Sequence, residues 1–415
     1  MTRILNMKIN FPFKQGFALW FGRRAMNSNY KTNSREMKLF RVAILAMAMT
    51  AAFTTQAQYI YTTLSDPLAV HSTGPDTLTD NFCGTNIVGG YGFFGTAGVI
   101  HGFLLNGTNW TTLNDPLAGS GPYEGTYATG MSDTNVVGWY VDSNSISHGF
   151  LYNGSTWTTL DDPQADLSPS GGTHAQGIDG ANISGFCTDA GGVDHGFLYN
   201  TAAQTWTPMD APLAGSDSGE GTSAERISGT NIVGTYIDSG DIYHGFLYNM
   251  VTKKWTTLNA PLADYGTIAF NVSGDNIVGL YIDSSGIYHG FLYNGGAWTT
   301  LDNPLAGSGS GQGTYAFGIE GAAIVGTYID SNGIYHGFLA TPLPQLQTAL
   351  SGAALTVSWP YWNNSLTGWT LQQNPDLTPA NWTQTPTSVI SNDGTNNFIT
   401  IIPATGNSFF RLSQQ

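Results

Sequence analysis

The tripeptide His-Gly-Phe occurs six times, opening at His101, His148, His195, His244, His289 and His336, at spacings of 47, 47, 49, 45 and 47 residues. A Trp-Thr pair follows five of them, at Trp110, Trp157, Trp206, Trp255 and Trp298. The sixth runs instead into Ala340-Thr341-Pro342, with no Trp strand after it. The missing piece lies at the other end of the array. Tyr61-Thr62-Thr63-Leu64 precedes Asp66-Pro67-Leu68-Ala69, and no His-Gly-Phe comes before it. A tandem array that begins with a final strand and ends without one is completed when its two ends meet.

Within one period the sequence reads as four short runs bounded by turn residues. In the last unit these are 314–319, 323–329, 334–339 and, by closure, 59–64. Asp330-Ser331-Asn332-Gly333 joins the second run to the third as a tight hairpin, its Asp starting the turn and its Gly accepting positive φ. Abundant Gly, strand-forming residues and no sustained 3.6-residue periodicity predict an all-β chain. Four strands in about 40–50 residues, repeated, mark a β-propeller blade. Six units predict a six-bladed β-propeller closed by the N-terminal strand, which leaves no sheet edge open. A β-solenoid is the alternative, but it has no need of complementary half-units at its ends. Both faces of Ile334-Tyr335-His336-Gly337-Phe338-Leu339 are largely apolar, as suits a sheet covered on both sides. The Trp residues are expected as wedges between blades. The six repeated His are expected as buried hydrogen-bonding groups within each blade, because ligands of one metal would have to converge.

The termini differ from the array. Lys38 and Arg41 lead into the apolar run 42–49 and then to small residues ending at Ala57. That is the pattern of a signal peptide starting at Met37 and cut after Ala57, with an upstream extension before it. The apolar run is too short for a comfortable span, so stable membrane insertion is not expected. The expected organisation is residues 1–57 for targeting, a propeller over 58–341, a linker over 342–348 around Pro342-Leu343-Pro344, and a small β-sandwich-like module over 349–415. Nine of the 13 Lys and Arg precede residue 42, so residues 58–415 hold four cations against 27 acids, a net of −23. Such a chain repels nucleic acid and anionic lipid. Cys83 and Cys187 fall in the first and third units at different positions, too far apart for a disulfide.

Two resemblances follow from these residues. The units, with Asn-Ile-Val-Gly followed by Gly-x-x-His-Gly-Phe-Leu-Tyr-Asn, resemble the bacterial "probable extracellular repeat, HAF family" over residues 59–340, with Gly in place of the middle Ala in every copy. The resemblance implies export and a repeat fold, and no assigned reaction. The tail, with Leu-Thr-Val-Ser-Trp-Pro, Trp-Thr-Leu-Gln and Phe-Phe-Arg-Leu, is similar to short C-terminal modules of secreted proteins from environmental Gram-negative bacteria.

The repeats also show which columns vary. One propeller face should collect the hairpins bearing Asp142, Asp189, Asp238, Asp283 and Asp330, and the inter-blade loops bearing Glu124, Asp162 and Glu220. Loops on a rigid ring are where binding usually lives. Calcium needs several oxygens where each hairpin offers one carboxylate, so these Asp read first as turn formers and no cofactor is expected, with calcium at the hairpins as the weaker alternative. The innermost strand departs most from its own repeat, and Asp80, His174, Glu225 and Arg226 are the candidate ligand-binding residues at the channel mouth. The alternative is that Arg226 merely pairs with Glu225 or Glu220 along the channel wall. No GxSxG, HExxH or Cys–His constellation is present, nor the sialidase-type Ser-x-Asp-x-Gly-x-x-Trp box. The expected function is therefore a secreted or cell-surface, non-catalytic propeller, a monomer, binding a neutral glycan or a surface protein. A carbohydrate-active hydrolase or lyase with an acid/base pair at the channel mouth, and a purely structural envelope or matrix component, are the alternatives.

Overall fold

The computed structural model describes residues 59–64, 77–84, 86–92, 98–169, 171–343, 346–351, 354–360, 369–374, 382–385, 389–393, 396–401 and 409–414. The targeting segment read over 1–57 lies outside them. The described chain is all-β apart from one isolated helical-turn residue. None of its helices is long and apolar enough to cross a membrane.

Six antiparallel four-stranded sheets follow one another. The innermost strands are Thr77–Cys83, Gly125–Ser132, Gly172–Asp179, Gly221–Ser228, Gly266–Ser273 and Gly313–Glu320. Each pairs with a second strand, that with a third carrying His-Gly-Phe, and in blades 1 to 5 that with a fourth carrying the Trp. In blade 6 the fourth strand is Tyr59–Leu64, paired antiparallel with Tyr335–Pro342 from Tyr59↔Pro342 to Leu64↔Gly337. The ring is thus a six-bladed β-propeller whose last blade is built from both ends of the array.

The blades are held together by the Phe of the repeat. Phe103, Phe150, Phe197, Phe246, Phe291 and Phe338 are all 0–1% exposed. Each sits in a cluster shared with the preceding blade: Phe150 with Val88 and Leu113, Phe291 with Val233 and Leu258. The Gly of Asn-Ile-Val-Gly exists for this ring. A Cβ on Gly138 would lie 2.8 Å from the Phe150 ring and 1.9 Å from the carbonyl oxygen of Tyr127, which no side chain tolerates. The Trp residues are not the main wedges. They are half-buried on the outer strand and pack on the Phe and Tyr of their own third strand, as Trp157 does on Phe150 at 4.9 Å and Tyr152 at 4.5 Å. They cap the outer end of five inter-blade cores, and Tyr61, 5.4 Å from Phe338, takes that place in the sixth.

A threonine joins neighbouring blades near the axis. Thr126, Thr173, Thr222, Thr267 and Thr314 each accept, through Oγ1, the amide N–H of the turn leaving the preceding blade, at 2.8–2.9 Å. The reason for Thr in the Thr-x-Ala column is this bond, made by a side chain fully buried between two sheets.

Beyond the ring, Gln347–Ser351, Ala354–Pro360, Asn396–Ile401 and Ser391–Asn392 form one sheet, and Trp369–Asn374, Thr383–Gln384 and Phe409–Gln414 another. Val357, Trp359 and Ile399 of the first and Leu371 of the second share one core, which makes the module a small sandwich. Its first strand opens at Gln347 and the last propeller strand runs to Pro342, so the connection is shorter than the linker expected over 342–348.

Candidate functional site

The innermost strands all carry a bulge, and the bulged residues are Asp80, Thr129, Gln176, Glu225, Phe270 and Phe317. A bulge places two residues against one on the partner strand and re-aims the side chains there. Around the axis this yields a polar arc over blades 1 to 4 and an aromatic arc over blades 5 and 6, where Phe270 meets Phe317 at 4.7 Å and Phe317 stacks on Tyr315 at 5.5 Å.

The next residue in each strand is Asn81, Gly130, Gly177, Arg226, Asn271 and Gly318. Long polar side chains cross the space that glycines leave. Arg226 of blade 4 donates from Nη1 to the backbone oxygen of Gln176 in blade 3. It reaches so far that a Cβ on Gly130 of blade 2 would stand 2.6 Å from Nη1. Asn271 of blade 5 donates to Asn81 of blade 1 at 3.0 Å, past Gly318 of blade 6. Thr129 closes the polar arc by donating to the Ala175 oxygen at 2.8 Å.

Three of the four candidate residues are therefore inside the ring and not at its mouth: His174, Glu225 and Arg226 are 1%, 4% and 7% exposed. Asp80 is half-buried, its Oδ2 enclosed and without a hydrogen-bond partner. The structure brings Asp80, Glu225 and Arg226 into one electrostatic group. Burial pushes Asp80 up to about 7 and Glu225 up to about 8, against the opposing pull of Arg226, and burial lowers Arg226 to about 10. The expected wall pairing does not form. Glu225 accepts a 2.6 Å bond from Ser223, Glu220 accepts the Asp217 amide, and the guanidinium is spent on a carbonyl. His174 stands apart, its ring between Phe186 at 4.6 Å and Trp139 at 4.9 Å, with neither nitrogen hydrogen-bonded. Burial lowers it to about 3, so it is neutral.

The repeated His is a hydrogen-bonding brace within its own blade and is only partly buried: the side chains of His148, His195, His244, His289 and His336 are 15–28% exposed. Nδ1 of His101, His148, His195, His244 and His289 donates to Asn114, Asp161, Asp210, Asn259 and Asp302, one or two residues past the outer strand, at 2.8–3.2 Å. Nε2 of His195, His244, His289 and His336 faces the hairpin carboxylates Asp189, Asp238, Asp283 and Asp330 at 3.1–3.4 Å, and His148 faces Asp142 at 3.8 Å. The ring also stacks on a second-strand Tyr, as His148 does on Tyr140 at 5.1 Å. Blade 3 has Cys187 at that Tyr position, buried and free, and Cys83 is free as well. The hydrogen bond to Asp161 is the chief cause holding His148 above its ordinary value. His195 is also raised: burial works against its charge, but Asp210 and Asp189 outweigh it.

The hairpin Asp are turn formers whose oxygens are committed. Asp330 Oδ1 accepts the amides of Asn332 and Ile334 at 2.8 and 2.9 Å while Oδ2 faces His336. Gly192, Gly286 and Gly333 take the positive φ these turns demand, and blades 2 and 4 place Ser145 and Asp241 in the same conformation. Among the described residues no group of three or more His, Cys, Asp or Glu is arranged to hold a metal ion. Of the loop acids, Asp162 and Glu220 are buried and Glu124 folds back onto the Gly121 amide.

A further repeated feature lies on the surface. Five described inter-blade loops open with a turn X-Pro-x-Ala, x being Leu in four of them and Gln164 in the other, closed by a bond from the Ala amide to the carbonyl of X, as from Ala118 to Asp115 at 3.1 Å. The leucines Leu117, Leu213, Leu262 and Leu305 are 64%, 66%, 65% and 61% exposed. The signal was present in the sequence as the Pro-Leu-Ala that recurs shortly after the Trp-Thr pair.

No family profile and no curated protein matches the chain. Among solved structures, TolB from Acinetobacter baumannii is similar at 14% identity and TM-score 0.39, over 64% of this chain and 63% of that one. The fucose-specific lectin from Aleuria aurantia is similar at 14% identity and TM-score 0.39, over 76% and 96%. AofleA from Arthrobotrys oligospora is similar at 12% identity and TM-score 0.38, over 85% and 92%.

Proposed function

We propose that the protein is an exported, monomeric and non-catalytic binding propeller that engages a neutral glycan or a surface protein on its loop face. One observation carries this reading. Among the described residues of the propeller nine large apolar side chains are exposed, and eight of them (Leu117, Tyr123, Leu167, Leu213, Ile242, Leu262, Tyr265 and Leu305) lie in inter-blade loops or second-to-third hairpins, which share one face. The ninth, Val251, lies on the other face. Concentration of exposed apolar side chains on one side of a rigid ring marks an interaction surface. The channel offers a ligand little access, since His174, Glu225 and Arg226 are enclosed within the ring. Export is supported by the apolar run 42–49 with the small residues after it ending at Ala57, and by the resemblance to extracellular repeats.

The test is a glycan-array screen of residues 58–415 with Ca²⁺ present and then chelated, beside a pull-down of cell-surface proteins. Selective binding that survives Asp80→Asn with Glu225→Gln is expected. The hydrolase or lyase reading draws on the same two raised carboxylates. Turnover of a polysaccharide that Glu225→Gln abolishes would replace the binding reading with it.

A further inference from the structure

The four leucines are not required by the fold. In a turn of this kind Pro favours the second position, and the third accepts most residues and gains nothing from an aliphatic one. Blade 2 shows this directly: its turn carries Pro163-Gln164, yet the Ala165 amide still bonds Asp162 at 3.0 Å and Asp162 still accepts the Gln164 amide. Burial does not explain the leucines either, because each keeps more than 60% of its surface in water. They recur at one position of four blades, so they form a crown of aliphatic knobs around one face.

The charge around the crown has one sign. Asp210 and Asp302, three residues before Leu213 and Leu305, are 48% and 49% exposed at the side chain. The hairpin carboxylates, from Asp142 to Asp330, stand on the same face at 20–35%. Of the cations after residue 58, Arg226 is buried, Lys253 and Lys254 lie at the turn between the third and outer strands of blade 4 on the opposite face, and Arg411 belongs to the C-terminal module.

We infer that the crown docks a cationic protein segment bearing aliphatic side chains, with Leu117, Leu213, Leu262 and Leu305 as its contacts and the hairpin and post-strand carboxylates as its electrostatic guide. The inference rests on the loop-face reading and chooses the protein partner over the glycan. Aliphatic knobs suit another apolar side chain, whereas nothing about a neutral sugar calls for a ring of carboxylates. A second copy of this chain would bring its own net negative charge to the face, and an anionic partner is repelled. Knobs on separate blades also allow several weak contacts to act together on one extended segment.

The experiment uses residues 58–415 and three synthetic peptides followed by fluorescence anisotropy at 150 mM salt. One is an amphipathic peptide of Leu and Lys, one has Glu for Lys, and one has Ser for Leu. The Leu/Lys peptide is expected to bind, the Glu peptide not to bind, and the Ser peptide to bind at least tenfold more weakly. The combined variant Leu117→Ser, Leu213→Ser, Leu262→Ser, Leu305→Ser should lose at least tenfold for the Leu/Lys peptide with its melting temperature unchanged. Equal binding by that variant would reduce the effect to bulk charge attraction and overturn the inference. Glycan-array binding that the four substitutions abolish, with no peptide binding, would also overturn it while leaving the loop-face reading intact. No binding of glycan, surface protein or peptide would remove both.

Discussion

The axis and the loop face of this propeller obey opposite rules. Along the axis each repeat departs from the others: Asp80, Gln176, Glu225, Phe270 and Phe317 occupy one bulged position, and Arg226 stands where three blades have Gly. Those departures lie inside the ring. On the loop face four of the five described turns agree, and what they agree on is a leucine that water reaches. Variation between repeats therefore marks the place where six copies must fill one asymmetric interior. A single Arg spans two neighbouring blades, and six Arg could not share that space. Agreement between repeats has a structural cause where the residue is buried, as with Phe291 or Thr126. Where the residue is exposed and its turn forms equally well without it, the cause lies outside the fold.

The largest effect is expected from removing residues 58–64, which strips blade 6 of its outer strand and uncovers Tyr335–Pro342. The cooperative thermal transition should be lost and the chain should aggregate, measured by circular dichroism and light scattering. A normal transition would show that closure by the N-terminal strand is dispensable. Next comes Gly279→Val, whose Cβ would fall 2.0 Å from the Ile268 carbonyl oxygen and 2.7 Å from the Phe291 ring. A loss of about 3 kcal/mol or more is expected in urea denaturation.

Arg226→Met tests the axis. It leaves the Gln176 carbonyl without its charged donor, at a cost of roughly 1.5–3 kcal/mol. It also removes the only nearby cation that lowers Asp80 and Glu225, so their titration should move to higher pH, and loop-face binding should not change.

The pH dependence has a definite sign. Asp80 at about 7, Glu225 at about 8 and Asp194 at about 7 all lie above their unfolded values, so the folded state holds more protons and loses stability as pH rises from about 4 toward 8. His148 and His195, raised by their carboxylates, add stability below their unfolded value that is also lost as pH rises through the folded one. Burial works to raise Asp189 and Asp330, but the amide and His bonds together hold both below the ordinary range. Their contribution is lost only at the acid end, as pH falls through those lowered values. The melting temperature should therefore be highest in mildly acidic buffer and fall by on the order of 5 °C toward pH 8.5. Asp80→Asn with Glu225→Gln should flatten most of that slope, and an unchanged slope would show that these carboxylates titrate normally.

The smallest effect sharpens the contrast from the other side. Leu117→Ser should shift stability by less than about 0.5 kcal/mol, as surface changes usually do. A cost above about 1 kcal/mol would make the crown a structural feature after all.

The repeat period, the half-units at the two ends and the Asp-led hairpins were enough to read six blades and their closure, because strand pattern and turn chemistry are local and recur six times. Phe and Gly of the repeat could be read as core, but not that one ring lies over the other's Cα, since that contact joins two strands. The sequence also marked Asp80, His174, Glu225 and Arg226 as departures from the pattern. Whether such departures face water or each other is decided by where the bulges turn them and by how six strands share one axis. Only the closed ring determines that. For the leucines the position was visible in every Pro-Leu-Ala, but burial is a property of the assembled blades, and an apolar residue in a sequence carries no sign of which side of the surface it will occupy.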